Sequence, residues 1–88
     1  MDNIYYRATV VNILGDMESK VFETQEPVPF PLDTDVFLHG EELDSKCFIA
    51  KLLLDLFPDI GNTIAVNICF ASVTEETKIH KLGFVPGD

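Results

Sequence analysis

The sequence predicts an α+β fold in which an antiparallel sheet of three to five strands packs on one helix, in the chain order β-β-(β)-α-β-β. Side chains over residues 4–14 and 63–74 alternate with the period of two that strands show. Residues 47–57 form a mostly apolar run that stops at Pro58, which is typical of a buried helix. The chain has 88 residues, so we expect a single domain, residues 1–88, around one core.

The first two strands are predicted to form a hairpin. Tyr, Val, Thr and Ile are abundant from Ile4 to Leu14, and these residue types favour strands. Gly15 and Asp16 then supply a turn, because glycine tolerates positive φ and aspartate can hydrogen-bond within its own turn. A second strand is expected around residues 20–24, so the hairpin loop should be longer than two residues.

Residues 26–32 are predicted to run extended across the surface. Prolines stand at every second position, 27, 29 and 31, where they fix φ and remove backbone donors. The residues between them are apolar, and we expect Val28, Phe30 and Leu32 to turn inward. Residues 35–39 should follow as a short strand or a turn.

The helix is predicted to begin at Glu41 or Asp44 and to end at Phe57, just before Pro58. Its N-cap is expected to be Asp44 or Ser45, because such side chains accept hydrogen bonds from the first backbone N–H groups. Apolar residues cover most of its circumference, which indicates burial on more than one side.

Two further strands are predicted after the helix. The alternation over residues 63–74 gives one bulky side that should pack on the helix, made of Ile64, Val66, Ile68 and Phe70. Residues 78–85 are expected to form a short last strand at an edge of the sheet.

One helix can cover only one face of this sheet, so the other face must meet solvent or a partner. The candidates on that second face are Tyr5, Val11, Ile13, Cys69 and Ala71. A face this apolar is unfavourable in water if it stays uncovered. We therefore predict that it forms a homodimer or binds a partner.

Acidic residues are concentrated in one third of the chain. There are 15 Asp and Glu against six Lys and Arg, a net charge of −9, and residues 16–44 hold nine of the acids with one lysine. These acids either form a solvated surface or dock on a basic groove of another protein, where they would compete with phosphate for Lys and Arg. The candidate partner-binding residues are Glu23, Glu26, Asp33, Asp35, Glu41, Glu42 and Asp44.

The composition argues against nucleic-acid binding, metal binding and catalysis. Six cations form no basic stripe for a phosphate backbone. The acids that start at Asp33 lack the glycine of a calcium-binding loop, and zinc-ligand spacing is absent among Cys47, Cys69, His39 and His80. The thiol of Cys47, on an apolar helix, should be an inert core group. We predict no enzyme activity, no cofactor and no metal.

The location is predicted to be cytoplasmic, without a membrane partner. Residues 1–7 show no basic start followed by an apolar run, so no secretory signal is expected. The longest nearly apolar stretch, residues 47–57, is about half of the roughly 20 residues that span a membrane. Two cysteines without metal or disulfide spacing fit reduced thiols.

The prediction for function is a small acidic protein-binding module. Compact acidic inhibitors carried by phages and mobile elements have a similar length and charge; such a viral protein would act as a DNA mimic on a basic, nucleic-acid-binding surface of a host protein. The alternative is a structural or assembly module that forms a homodimer and inhibits nothing. The salt dependence of binding distinguishes the two functions, because salt weakens contacts between charges and leaves an apolar contact intact.

Overall fold

The computed structural model describes residues 3–39, 47–60, 62–72 and 78–86. Three strands precede one helix and two strands follow it. The elements are β1 Ile4–Asn12, β2 Met17–Thr24, β3 Val36–Phe37, α1 Phe48–Leu56, β4 Thr63–Phe70 and β5 Ile79–Lys81.

The five strands form one mixed sheet in the order β3-β4-β1-β2-β5. The central strand β1 pairs antiparallel with β2 and with β4, and β3 pairs antiparallel with β4. The prediction of a wholly antiparallel sheet is wrong for β5, which runs parallel to β2 over Val21–Glu23. Strands that follow each other in a chain usually lie side by side, but here the chain crosses from β4 to the opposite edge before β5 begins.

The hairpin between β1 and β2 has the predicted longer loop. Residues 13–16 connect the strands, and Gly15 adopts a φ of +87°, a backbone conformation that favours glycine. The side chain of Asn12 closes the turn, since its Oδ1 accepts the N–H groups of Leu14 at 3.0 Å and Asp16 at 2.9 Å. β2 begins at Met17, three residues before the predicted start, because the antiparallel pairing continues to the turn.

The proline-rich segment packs as predicted. Val28 is buried, and Phe30 and Leu32 are partly buried against the core. The Val28 N–H donates to the hydroxyl of Tyr6 at 3.3 Å, which anchors the segment to β1.

The helix α1 begins later than predicted. Its N-cap is Cys47, which has extended backbone and forms no side-chain capping bond. The prediction of Asp44 or Ser45 as the N-cap is therefore wrong; both lie outside the described residues. The helix ends at Leu56, one residue before the predicted end at Phe57, and the Phe57 N–H still bonds the Leu53 carbonyl at 2.9 Å.

The core lies between α1 and one face of the sheet. Tyr6, Ala8 and Val10 from β1, together with Phe22, Val66 and Ile68, pack against Ile49, Leu52 and Leu56 of α1. The tyrosine ring stacks on Phe22 and on Phe70, with centroid separations of 5.5 and 5.3 Å. Val66 and Ile68 are buried as predicted, whereas Ile64 is 41% and Phe70 is 63% exposed because they lie toward the ends of β4.

Candidate functional site

The sheet has one face under the helix and one face on which no described element packs. Along β1, Tyr6, Ala8 and Val10 belong to the core with α1. The side chains between them point to the opposite side, as strand geometry requires. We call this opposite side the outer face; on β1 it carries Tyr5, Arg7, Thr9 and Val11.

An apolar row crosses four strands of the outer face at the end nearest the β1–β2 turn. Val11 lies opposite Met17 on one side and Ala65 on the other, and Ala65 lies opposite Phe37. Met17 is 69% exposed and Phe37 is 66% exposed. Because opposite side chains on neighbouring strands are about 5 Å apart at Cβ, these four residues, here called the apolar row, form a continuous strip.

The predicted dimer face divides into two parts. Val11 belongs to the apolar row, and Ile13 is exposed in the adjoining turn. Tyr5, Cys69 and Ala71 lie farther along the face and are half-buried; the Ala71 N–H donates to the Tyr5 carbonyl at 2.9 Å. Their role in a homodimer stays a prediction.

A polar row separates these two parts of the outer face. Thr9 lies opposite Ser19 and Asn67, and its Oγ1 is 2.8 Å from the Oγ of Ser19. Asn67 Nδ2 donates to Asp35 Oδ1 at 2.8 Å. The exposed apolar surface is therefore continuous only toward the turn.

Two of the predicted partner-binding acids line a cleft of about 310 Å³ beside the C-terminal segment. Glu23 accepts a hydrogen bond from Asn3 Nδ2 at 3.1 Å and pairs with Lys81 at 3.9 Å, and its side chain is only 15% exposed. Glu26, in the loop after β2, is exposed. Of the two, Glu26 is the one that is free to meet a partner.

Two other predicted acids lie on the far side of β1, beside β3 and β4. The Asp33 N–H donates to the Ile68 carbonyl at 2.8 Å, and Asp35 accepts from Asn67 on the outer face. Glu23 and Glu26 thus lie near each other at the β5 side of the sheet. Asp33 and Asp35 lie near each other at the opposite, β3 side. The remaining candidates, Glu41, Glu42 and Asp44, lie outside the described residues.

Three residues at this end of the sheet were not among the sequence candidates. Met17 precedes the predicted start of β2, and Phe37 lies in a segment whose pairing partner the sequence does not reveal. Asp16 is exposed beside Met17, and its Oδ2 accepts from Asn12 Nδ2 at 3.3 Å. Extending the strand alternation back to the Gly15 turn would have placed Met17 on the outer face.

Comparisons with known protein families, curated proteins and solved structures found no match. Function must therefore be inferred from the geometry of the chain. Among the described residues, no three His, Cys, Asp or Glu side chains group so as to hold a metal ion. Both cysteines are free thiols. Within the same residues, no helix has the length and apolar character to cross a membrane.

Proposed function

We propose that this protein acts by binding another protein, with the apolar row at the centre of the contact and carboxylates at its border. The observation that carries this proposal is the exposure of the row on a face that no described element covers. Leu14, in the adjoining turn, is 82% exposed and extends the strip. Single exposed apolar side chains are ordinary, whereas a contiguous strip is typical of interaction sites.

Charge favours a basic partner over a second copy of the chain. Asp16 precedes Met17 at one end of the apolar row, and Asp35 stands two residues before Phe37 at the other. A partner whose apolar patch is bordered by Lys or Arg would complement this arrangement. Two copies of the chain would instead bring net charges of −9 together, and like charges across an interface oppose association.

The basic surface that we propose as the target is a nucleic-acid-binding groove. Such grooves hold phosphates with Lys and Arg, and carboxylates bound there would compete with the nucleic acid. Of the acids predicted to bind the partner, Asp35 borders the apolar row, whereas Glu26 is exposed at the other side of the sheet and would steer the partner at longer range. Glu23 is already held by Asn3 and Lys81, and a role for Asp33, Glu41, Glu42 and Asp44 stays a prediction. Bound in this way, the protein would inhibit its partner by occupying the groove.

The experiment captures partners from a nuclease-treated lysate with the wild-type protein and two variants. The double variant Met17→Ser/Phe37→Ser removes the exposed ends of the apolar row. The control, Leu54→Ser, removes a side chain that is 74% exposed but lies on α1. Urea unfolding checks that each variant is folded, and sedimentation shows whether the wild type is a dimer.

The proposal is supported if the wild type and Leu54→Ser both capture a basic protein that the double variant does not capture. A DNA duplex should then displace that basic protein from the wild type. Reversing Glu26 and Asp35 to Lys should slow its association at low salt. A partner that binds all three proteins equally would show that the apolar row is not the contact. A wild-type dimer that the double variant converts to monomer would overturn the proposal in favour of the homodimerising module.

A further inference from the structure

A second site is visible where β5 begins beside β2. A hollow of about 330 Å³ opens there. Among the described strands, β5 pairs only with residues 21–23 of β2, and no described strand pairs with the preceding part of that edge. The residues that line the hollow are Arg7, Ser19, Lys20, Val21, Lys78 and His80.

This hollow collects positive charge in a strongly acidic chain. Three of the six Lys and Arg residues, Arg7, Lys20 and Lys78, line it together with one of the two histidines. No described Asp or Glu belongs to its lining. The local charge is therefore opposite to that of the molecule as a whole.

The cations of the hollow differ in how far they are already engaged. Lys20 lies opposite Ala8, so its ammonium is on the helix side of the sheet, where it donates to the Leu56 carbonyl, pairs with Glu18 at 3.6 Å and lies 5.5 Å from the centroid of the Phe57 ring. Arg7 and Lys78 form no ion pair with any carboxylate in the part of the chain that the structure describes. Those two side chains are available to an incoming anion.

His80 responds to the charge around it. Burial lowers the pKa of its imidazole, and the positive charges of Lys20 and Lys78 lower that pKa further, while Asp55 of α1 opposes them. An anion bound in the hollow would raise the pKa of His80, as Asp55 does, because a nearby negative charge favours the protonated ring.

We infer that this hollow binds the phosphate group of a small phosphate monoester, with Arg7 and Lys78 as its direct ligands. The guanidinium fork of arginine matches phosphate oxygens in two parallel hydrogen bonds. The phosphate of a monoester carries about −1.5 to −2 charges at neutral pH, enough to use several cations at once. A nucleic-acid strand or an anionic membrane would be repelled by the other acids of the chain, so the ligand is small.

The test is a titration with inorganic phosphate and with glycerol phosphate, followed by NMR of the backbone amides at constant ionic strength. We expect saturable shifts at Ser19, Lys20 and His80. Arg7→Gln should weaken binding about tenfold, the effect of losing one charge-assisted contact. The matched control is Lys81→Gln, which removes the same charge from an exposed lysine of β5 and should change the affinity by less than about twofold.

Three results would overturn the inference. One is the absence of a saturable shift; another is equal weakening by Arg7→Gln and Lys81→Gln, which would indicate attraction without a site. The third is tighter or equal binding of succinate, a dicarboxylate of similar charge. Phosphate should also raise the pKa of His80 in a titration of its ring protons, and an unchanged value would show that phosphate binds elsewhere. If Arg7→Gln fails to fold, Lys78→Gln gives the same test.

Discussion

At the scale of single residues, Asn12 shows how one buried polar side chain fixes a turn. In the sequence it interrupts the apolar side of β1, and alternation alone gives no reason for it. In the structure it is buried, and its amide oxygen accepts two backbone N–H groups of the turn, from Leu14 and Asp16. Without that oxygen these two donors lose their partner, and unpaired donors at a half-buried site cost free energy.

Replacing Asn12 by Ala should lower the free energy of unfolding by about 2 kcal/mol, since one polar side chain serves two backbone donors. The comparison is Asn67→Ala, which removes a hydrogen bond to Asp35 that is exposed and should cost less than about 1 kcal/mol. Urea unfolding of both variants measures the difference. Equal losses would mean that water satisfies the turn donors as well as Asn12 does.

At the scale of elements, β5 depends on contacts that its own three residues do not provide. The Gly83 N–H, just after the strand, donates to Asp55 Oδ2 of α1 at 2.8 Å. Phe84 then packs edge-on against Phe48, with centroids 5.9 Å apart. The helix therefore holds residues 83 and 84 in place, directly after the short parallel pairing of β5 with β2.

Asp55→Ala should loosen β5 without unfolding the sheet. Losing one charge-assisted hydrogen bond is expected to speed amide hydrogen exchange at Gly83 and along β5 by about tenfold, while exchange in β1 stays unchanged. Asp59→Ala is the matched control, because Asp59 is an exposed carboxylate in the turn after α1. Faster exchange throughout the sheet would show that Asp55 supports the whole fold.

The contrast between β1 and β5 explains how much of this molecule could be predicted from sequence. Alternation correctly separated Tyr6 and Ala8 from Tyr5, because burial imposes a period of two on a long strand. It contained no information on which strands become neighbours or in which direction β5 runs. The apolar row requires three strand registers at once, so Met17 and Phe37 could not be joined to Val11 before the sheet was known.

At the scale of the whole molecule, charge acts against the compact state. The net charge of −9 belongs to a molecule that is 35 Å along its longest axis. The Debye length is about 30 Å at 0.01 M salt and about 8 Å at 0.15 M, so nearly all the acids repel one another at low salt and only close neighbours do at high salt. Two ion pairs among the described residues, Lys20–Glu18 and Lys81–Glu23, each have one exposed side chain; salt weakens them, and pairs open to solvent contribute little.

The free energy of unfolding should therefore rise as NaCl increases from about 0.01 M to about 0.15 M. Glu26→Lys should add up to about 0.5 kcal/mol at the lower salt and less at the higher, because it removes repulsion that salt would otherwise screen. The free energy of unfolding of Glu26→Gln should lie between that of Glu26→Lys and that of the wild type. Urea unfolding at both salt concentrations decides the matter: a fall in stability with salt would mean that the ion pairs outweigh the repulsion. The acids would then have been placed to stabilise the fold, and their value to a basic partner would be secondary.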